Sequence, residues 1–182
     1  GLVNGIEYTV VVVATNAAGF DATSDEETVT PLTVPDASPS VSASPEDSGA
    51  VVSWTKPDKD GGSAITSYTV TATPIPDLDV DPEELAIEKE CVLDIVDVTT
   101  LLVCTVEGLV NGIAYTFAVV ATNTVGPGPA ATSDAETVTP RTTPGAPLIT
   151  STEAGDTTAT VVWKAPGNNG GSVVTGYTVT AT

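Results

Sequence analysis

The chain has 182 residues, enough for one large or two small domains, and 41% of them are hydrophobic, which supports a buried core and excludes a disordered polymer. Five Lys and Arg stand against 24 Asp and Glu, a formal charge of −19 that argues against nucleic acid and anionic lipid as partners, because phosphate binding depends on clustered basic side chains. There is no apolar run of bilayer-spanning length and no His, so membrane insertion by a helix and Ser-His-Asp catalysis are both set aside.

Fourteen Pro and sixteen Gly are spread through Thr- and Val-rich text with no long helical period, so the chain reads as all-β. The first element is a turn, Leu2-Val3-Asn4-Gly5, whose Asn-Gly tolerates positive φ, followed by a strand over residues 8–16. Leu2 stands six residues before Tyr8, the spacing of a tyrosine corner in Greek-key sandwiches, in which the phenol hydroxyl bonds back to backbone near the preceding turn. Tyr8, Val10, Val12 and Ala14 are expected to face a core, leaving Val11 and Val13 on the outer face. After a second strand ending at Glu27-Thr28-Val29-Thr30-Pro31 comes a Pro-rich joint over 31–39, where proline limits φ and stiffens the connection. Strand A is then expected near 37–44, B at 49–55, C at 64–73, C′ near 91–97, E at 101–107, F at 113–123 and G at 131–139, ending in a second Pro-rich joint over 140–147.

The elements repeat. Gly108-Leu109-Val110-Asn111-Gly112 and the strand beginning at Tyr115 copy residues 1–16 at an offset of 107, while Trp163 follows Trp54 by 109. The difference lies in one loop, Gly19-Phe20-Asp21-Ala22 against Gly126-Pro127-Gly128-Pro129-Ala130-Ala131, where insertions cost little. A second block pairs Gly61-Gly62-Ser63 and Tyr68 with Gly170-Gly171-Ser172 and Tyr177. Three pieces follow: residues 1–31 as strands F and G of a preceding unit, 32–140 as a complete seven-stranded Greek-key β-sandwich, and 141–182 as strands A, B and C of a following unit. The chain begins in mid-motif without Met, and the expectation is a window from a much longer array; the alternative is a swapped polymer in which partial units complete one another, leaving the region equivalent to 74–107 unfilled.

This pattern resembles tandem fibronectin type III domains over the entire chain. The resemblance is carried by Trp54 and Trp163 on strand B, Tyr68 and Tyr177 on strand C, the corners Leu2 with Tyr8 and Leu109 with Tyr115, and Asn-x-x-Gly after strand F at Asn16 to Gly19 and Asn123 to Gly126. It is most similar to the Thr-rich bacterial secreted type. The resemblance implies an immunoglobulin-like sandwich, those aromatic and leucine residues in the core, and a disulfide between Cys91 and Cys104 in an oxidising, extracellular compartment. With no His and no further Cys, a zinc site is set aside.

Trp54 and Trp163 could be sugar-stacking platforms, but each lies beside paired Val residues at a repeated position, where a sandwich buries its largest side chain. The insert over 74–90 carries Asp77, Asp79, Asp81 and Glu84, hard oxygens suited to Ca²⁺, yet without the Gly and distal Glu of an EF-hand loop. Asp81-Pro82-Glu83-Glu84 also reads as a helix start, with Asp as N-cap and Pro at the first position, and a short exposed helical turn is the preferred reading. Outward residues Ala118 and Val120, like Val11 and Val13, are ordinary strand formers or a packing face between units.

No catalytic constellation or Gly-Lys phosphate loop is present, and the loop between F and G carries no Arg-Gly-Asp. No Asn-x-Ser/Thr sequon occurs, although many Thr could bear O-linked sugar. The expected function is therefore a non-catalytic structural repeat of a secreted or cell-surface polymer, a filament or adhesin stalk whose partners are neighbouring units of the same protein. The alternative implied by the resemblance is a spacer module of a secreted polysaccharide-degrading enzyme. No cofactor is expected beyond the Ca²⁺ alternative.

Overall fold

A computed structural model describes residues 1–75, 88–95, 102–133 and 137–182. Among the described residues the elements are all strands. In the N-terminal segment β1 (Tyr8–Val10) pairs antiparallel with β4 (Glu27–Val29), and β2 (Val13–Thr15) with β3 (Asp21–Thr23). The central part packs two sheets: β5 (Val41–Glu46), β6 (Gly49–Trp54) and β9 (Val103–Glu107) in the order β5-β6-β9, and β7 (Ile65–Pro74), β8 (Lys89–Asp94), β10 (Tyr115–Asn123) and β11 (Ala131–Thr132) in the order β11-β10-β7-β8. The C-terminal segment holds β12 (Leu148–Ala154) against β13 (Ala159–Lys164). Strands A, B, C, C′, E, F and G are thus β5, β6, β7, β8, β9, β10 and β11, and the fold is the two-sheet all-β sandwich that the alternation implied.

Alternation decides which face is buried. Along β10, Tyr115, Phe117, Val119 and Ala121 point inward while Thr116, Ala118, Val120 and Thr122 point outward, and the partner β7 buries Tyr68, Val70 and Ala72. From the facing sheet come Ala50, Val52, Trp54, Cys104 and Val106. Tyr68, Phe117, Val52, Val70, Val106 and Val119 are fully buried, and each such side chain contributes about 1.5–3 kcal/mol relative to exposure. Trp54 of one sheet meets Tyr68 of the other with ring centroids 5.3 Å apart and planes tilted by 56°, a favoured aromatic arrangement that bridges the sandwich. Burial pushes the Tyr68 phenol pKa up.

The terminal segments differ from expectation. Leu2 is 58% exposed, Tyr8 is half-buried, and Trp163 and Tyr177 are 36% and 44% exposed, so none of the four is in a core. Val10 and Val12, expected to face inward, are exposed as well. The strands present in each of these segments are too few to close a sandwich over those side chains. Residues 173–182, expected as a third C-terminal strand, form no ladder because no neighbouring strand supplies hydrogen bonds. Local geometry nonetheless persists: Trp163 and Tyr177 are 5.6 Å apart and tilted by 57°.

Candidate functional site

The chain's repeated features converge at the two joints where the terminal segments meet the central sandwich. The local chemistry begins with the tyrosine corner. Tyr115 Oη accepts the Val110 N–H at 3.0 Å, which holds the turn Leu109 to Gly112 in a closed shape, and Tyr8 Oη accepts the Val3 N–H at 2.9 Å around the matching turn. These turns project Gly5 and Gly112 outward, with φ of 78° and 93° that glycine adopts without steric cost. Each then donates its N–H to a joint proline carbonyl, Gly5 to Pro31 and Gly112 to Pro140, both at 2.9 Å.

Beyond each proline the chain is laid along the loop before strand C. Thr33 N–H donates to Gly61 O at 3.0 Å and Asp36 N–H to Lys59 O at 3.0 Å; at the second joint Thr142 N–H donates to Gly170 O at 2.8 Å and Gly145 N–H to Asn168 O at 2.9 Å. Asn123, 4% exposed, is the hub of the first joint. Its Nδ2 donates to Thr33 O at 2.8 Å and Asp60 O at 2.7 Å, while Oδ1 accepts from Val125 and Gly126 N–H at 2.9 and 3.2 Å. A buried amide needs such a set of partners, and here it ties three separate segments together.

Asp47 does the equivalent work at the opposite pole. It lies in the hairpin turn between β5 and β6, beside Ser48 at φ 55°, and its carboxylate accepts from Asn111 Nδ2 at 2.8 Å, Thr142 Oγ1 at 3.0 Å and Ser48 Oγ at 3.1 Å. Asn111, then Thr142 and Ser48, hold its carboxyl below the usual carboxylate range by stabilising the anion. Asn111 Oδ1 also accepts the Ser48 N–H at 2.9 Å, and Arg141 N–H donates to Glu46 O at 3.2 Å. An open cleft of about 750 Å³ at the first joint is lined by Asn4, Thr33, Lys56, Lys59, Asp58 and Gly62 among others, with charges of both signs and no aromatic platform.

Trp54, Tyr68, Leu109 and Tyr115 lie in the central core, so Trp54 offers no exposed face to a sugar. Cys91 on β8 and Cys104 on β9 are joined by a disulfide with Cα atoms 6.3 Å apart, and since β8 and β9 are each the edge of their sheet, the bond closes one side of the sandwich. Asp77, Asp79, Asp81 and Glu84, with the helical turn expected there, lie outside the described residues; among the described residues no group of three carboxylate or Cys side chains converges to hold a metal ion. Among the described residues no helix is long and apolar enough to cross a membrane. The roles of Asn123 and Asp47 were missed from sequence, although the signal was there: both recur, Asn16 and Asp156 occupying the matching positions.

Residues 35–138 match the family of the fibronectin type III domain. Among solved structures, a titin segment is 26% identical, with 68% of this chain and 38% of that one covered at a TM-score of 0.46. A two-domain segment of chicken tenascin is 21% identical, covering 70% of this chain and 62% of that one at a TM-score of 0.46. The chain therefore spans 38% and 62% of these two segments, under two thirds of each.

Proposed function

The chain belongs to the fibronectin type III family, and from that premise we propose that it is a structural repeat of a long secreted or cell-surface polymer, a filament or adhesin stalk. Domains of this family are generally non-catalytic modules, and the match carries no enzymatic family with it. The observation that supports the finer reading is the duplicated joint. The hydrogen bonds Gly5 to Pro31 and Thr33 to Gly61 recur as Gly112 to Pro140 and Thr142 to Gly170, so the chain contains the same connection twice in succession. A connection that repeats in this way extends a chain of units without limit, and its partners are neighbouring units of the same protein.

In this reading residues 1–31 and 141–182 belong to the preceding and following units, and 32–140 is the repeating body. The Cys91–Cys104 disulfide supports an extracellular placement, because such bonds persist in oxidising compartments. The Thr-rich sequence carries the resemblance to the bacterial secreted type. Sequencing the coding DNA on both sides tests the proposal: further units in register on each side are the expected result, and a catalytic domain directly abutting these residues would contradict it in favour of an enzyme spacer.

A further inference from the structure

Glycines face one another across both joints. Gly5 faces Gly62 at the first, Gly112 faces Gly171 at the second, and φ is positive at all four, 78°, 86°, 93° and 83°. A Cβ on Gly171 would stand 2.6 Å from Gly112 N, 2.9 Å from Asn111 C and 3.0 Å from Pro140 O, and one on Gly62 would meet the backbone of Asn4 and Gly5 in the same way. Gly61 and Gly170 are closed off by carbonyls of the joint itself, Thr33 and Val34 or Thr142 and Thr143. Every one of these walls is backbone, so none can swing aside as a side-chain tip would.

We infer that the Asn-Gly turn of each unit and the Gly-Gly turn of the next form a matched docking surface that locks successive units in one orientation, making the array a stiff rod rather than domains on flexible links. The contact joins two different surfaces, one at each pole of the unit. Such a head-to-tail contact generates an open filament when its rotation does not close a ring. The covalent joint keeps the two surfaces at high effective concentration, so a contact too weak to hold separate molecules suffices here. The Asp47 contacts with Asn111 and Thr142 brace the same turn and joint from the side. This inference rests on the reading of the chain as an array, and goes beyond it by assigning the geometry of the link.

Residual dipolar couplings on the 182-residue chain test it. One alignment tensor is expected to fit the amides of β5–β10 and β12–β13 together. Gly171→Asn accepts positive φ yet places a Cβ where Gly112 and Pro140 stand. That variant is expected to need two tensors, with Gly112 and Thr142 N–H exchanging about five- to tenfold faster and the β7–β10 ladder unchanged. Gly176→Ala, where a Cβ meets nothing within 4 Å, should behave as the parent chain does. Two tensors in the parent chain, or one in Gly171→Asn, would overturn the rigid joint. Either result would leave the array reading intact if further units flank these residues in the coding DNA, so the two ideas fail separately.

Discussion

Tyr115 Oη accepts the Val110 N–H at 3.0 Å from inside the core, and Tyr8 Oη accepts the Val3 N–H at 2.9 Å from a half-exposed ribbon. The corner therefore forms from its local sequence, and burial adds the energetic consequence. Tyr115→Phe leaves a partly buried N–H without an acceptor and is expected to lower stability by about 1–2 kcal/mol, while Tyr8→Phe should change it by less than about 0.5 kcal/mol. The urea midpoint at unchanged slope is the readout.

The Cys91–Cys104 bond joins the edges of two sheets across a short loop. Its reduction should cost on the order of 3 kcal/mol in the chain-entropy description. Intact mass after alkylation, with and without reductant, shows whether the bond is present in the isolated protein. Two thiols that alkylate freely before reduction would contradict both the bond and the extracellular placement.

Asn123 bonds to both Thr33 and Asp60 from a buried position. Asn123→Ala strands those carbonyls and the Val125 and Gly126 donors, and a loss of about 2–3 kcal/mol is expected. Asn123→Asp keeps an acceptor for the two N–H groups and loses only the donors, so loss of joint protection at Thr33 should be shared by both variants while Val125 protection falls only in the first. Amide exchange separates these outcomes.

Asp47 gives the joint an acid-sensitive brace. Its lowered pKa means the folded chain favours the carboxylate, so the contribution is present above the ordinary carboxylate range and is lost as pH falls through the lowered value. The group is fully solvent-exposed, which confines the effect to the brace. Acid titration should shift the Asn111 side-chain amide and Thr142 resonances together, with Val119 in the core unmoved, and Asp47→Asn should abolish that step.

Sandwich class and the paired corners were legible because they depend on alternation and short-range spacing: Leu109 to Tyr115, and the inward series Tyr115, Phe117, Val119 and Ala121. Contacts between distant segments were not. Nothing within a few residues of Asn123 says that its amide reaches Thr33, 90 positions away, and Asp47 looks like any turn aspartate until Thr142 folds back upon it. Burial at Trp163 and Tyr177 was expected from their repeat positions, but full burial needs a completed sandwich, whereas their mutual tilt needs only that the segment carrying Tyr177 lie against β13. The glycines were readable as turn formers, and their role as contact points appears only when two turns meet.

We propose that these residues are one stretch of a long array of sandwiches. Electrophoresis of the source material under denaturing, reducing conditions, probed with an antibody to residues 32–140, tests it most directly. A species many times larger than the 18.2 kDa of this chain is the expected result, and a discrete band near that mass would contradict the account.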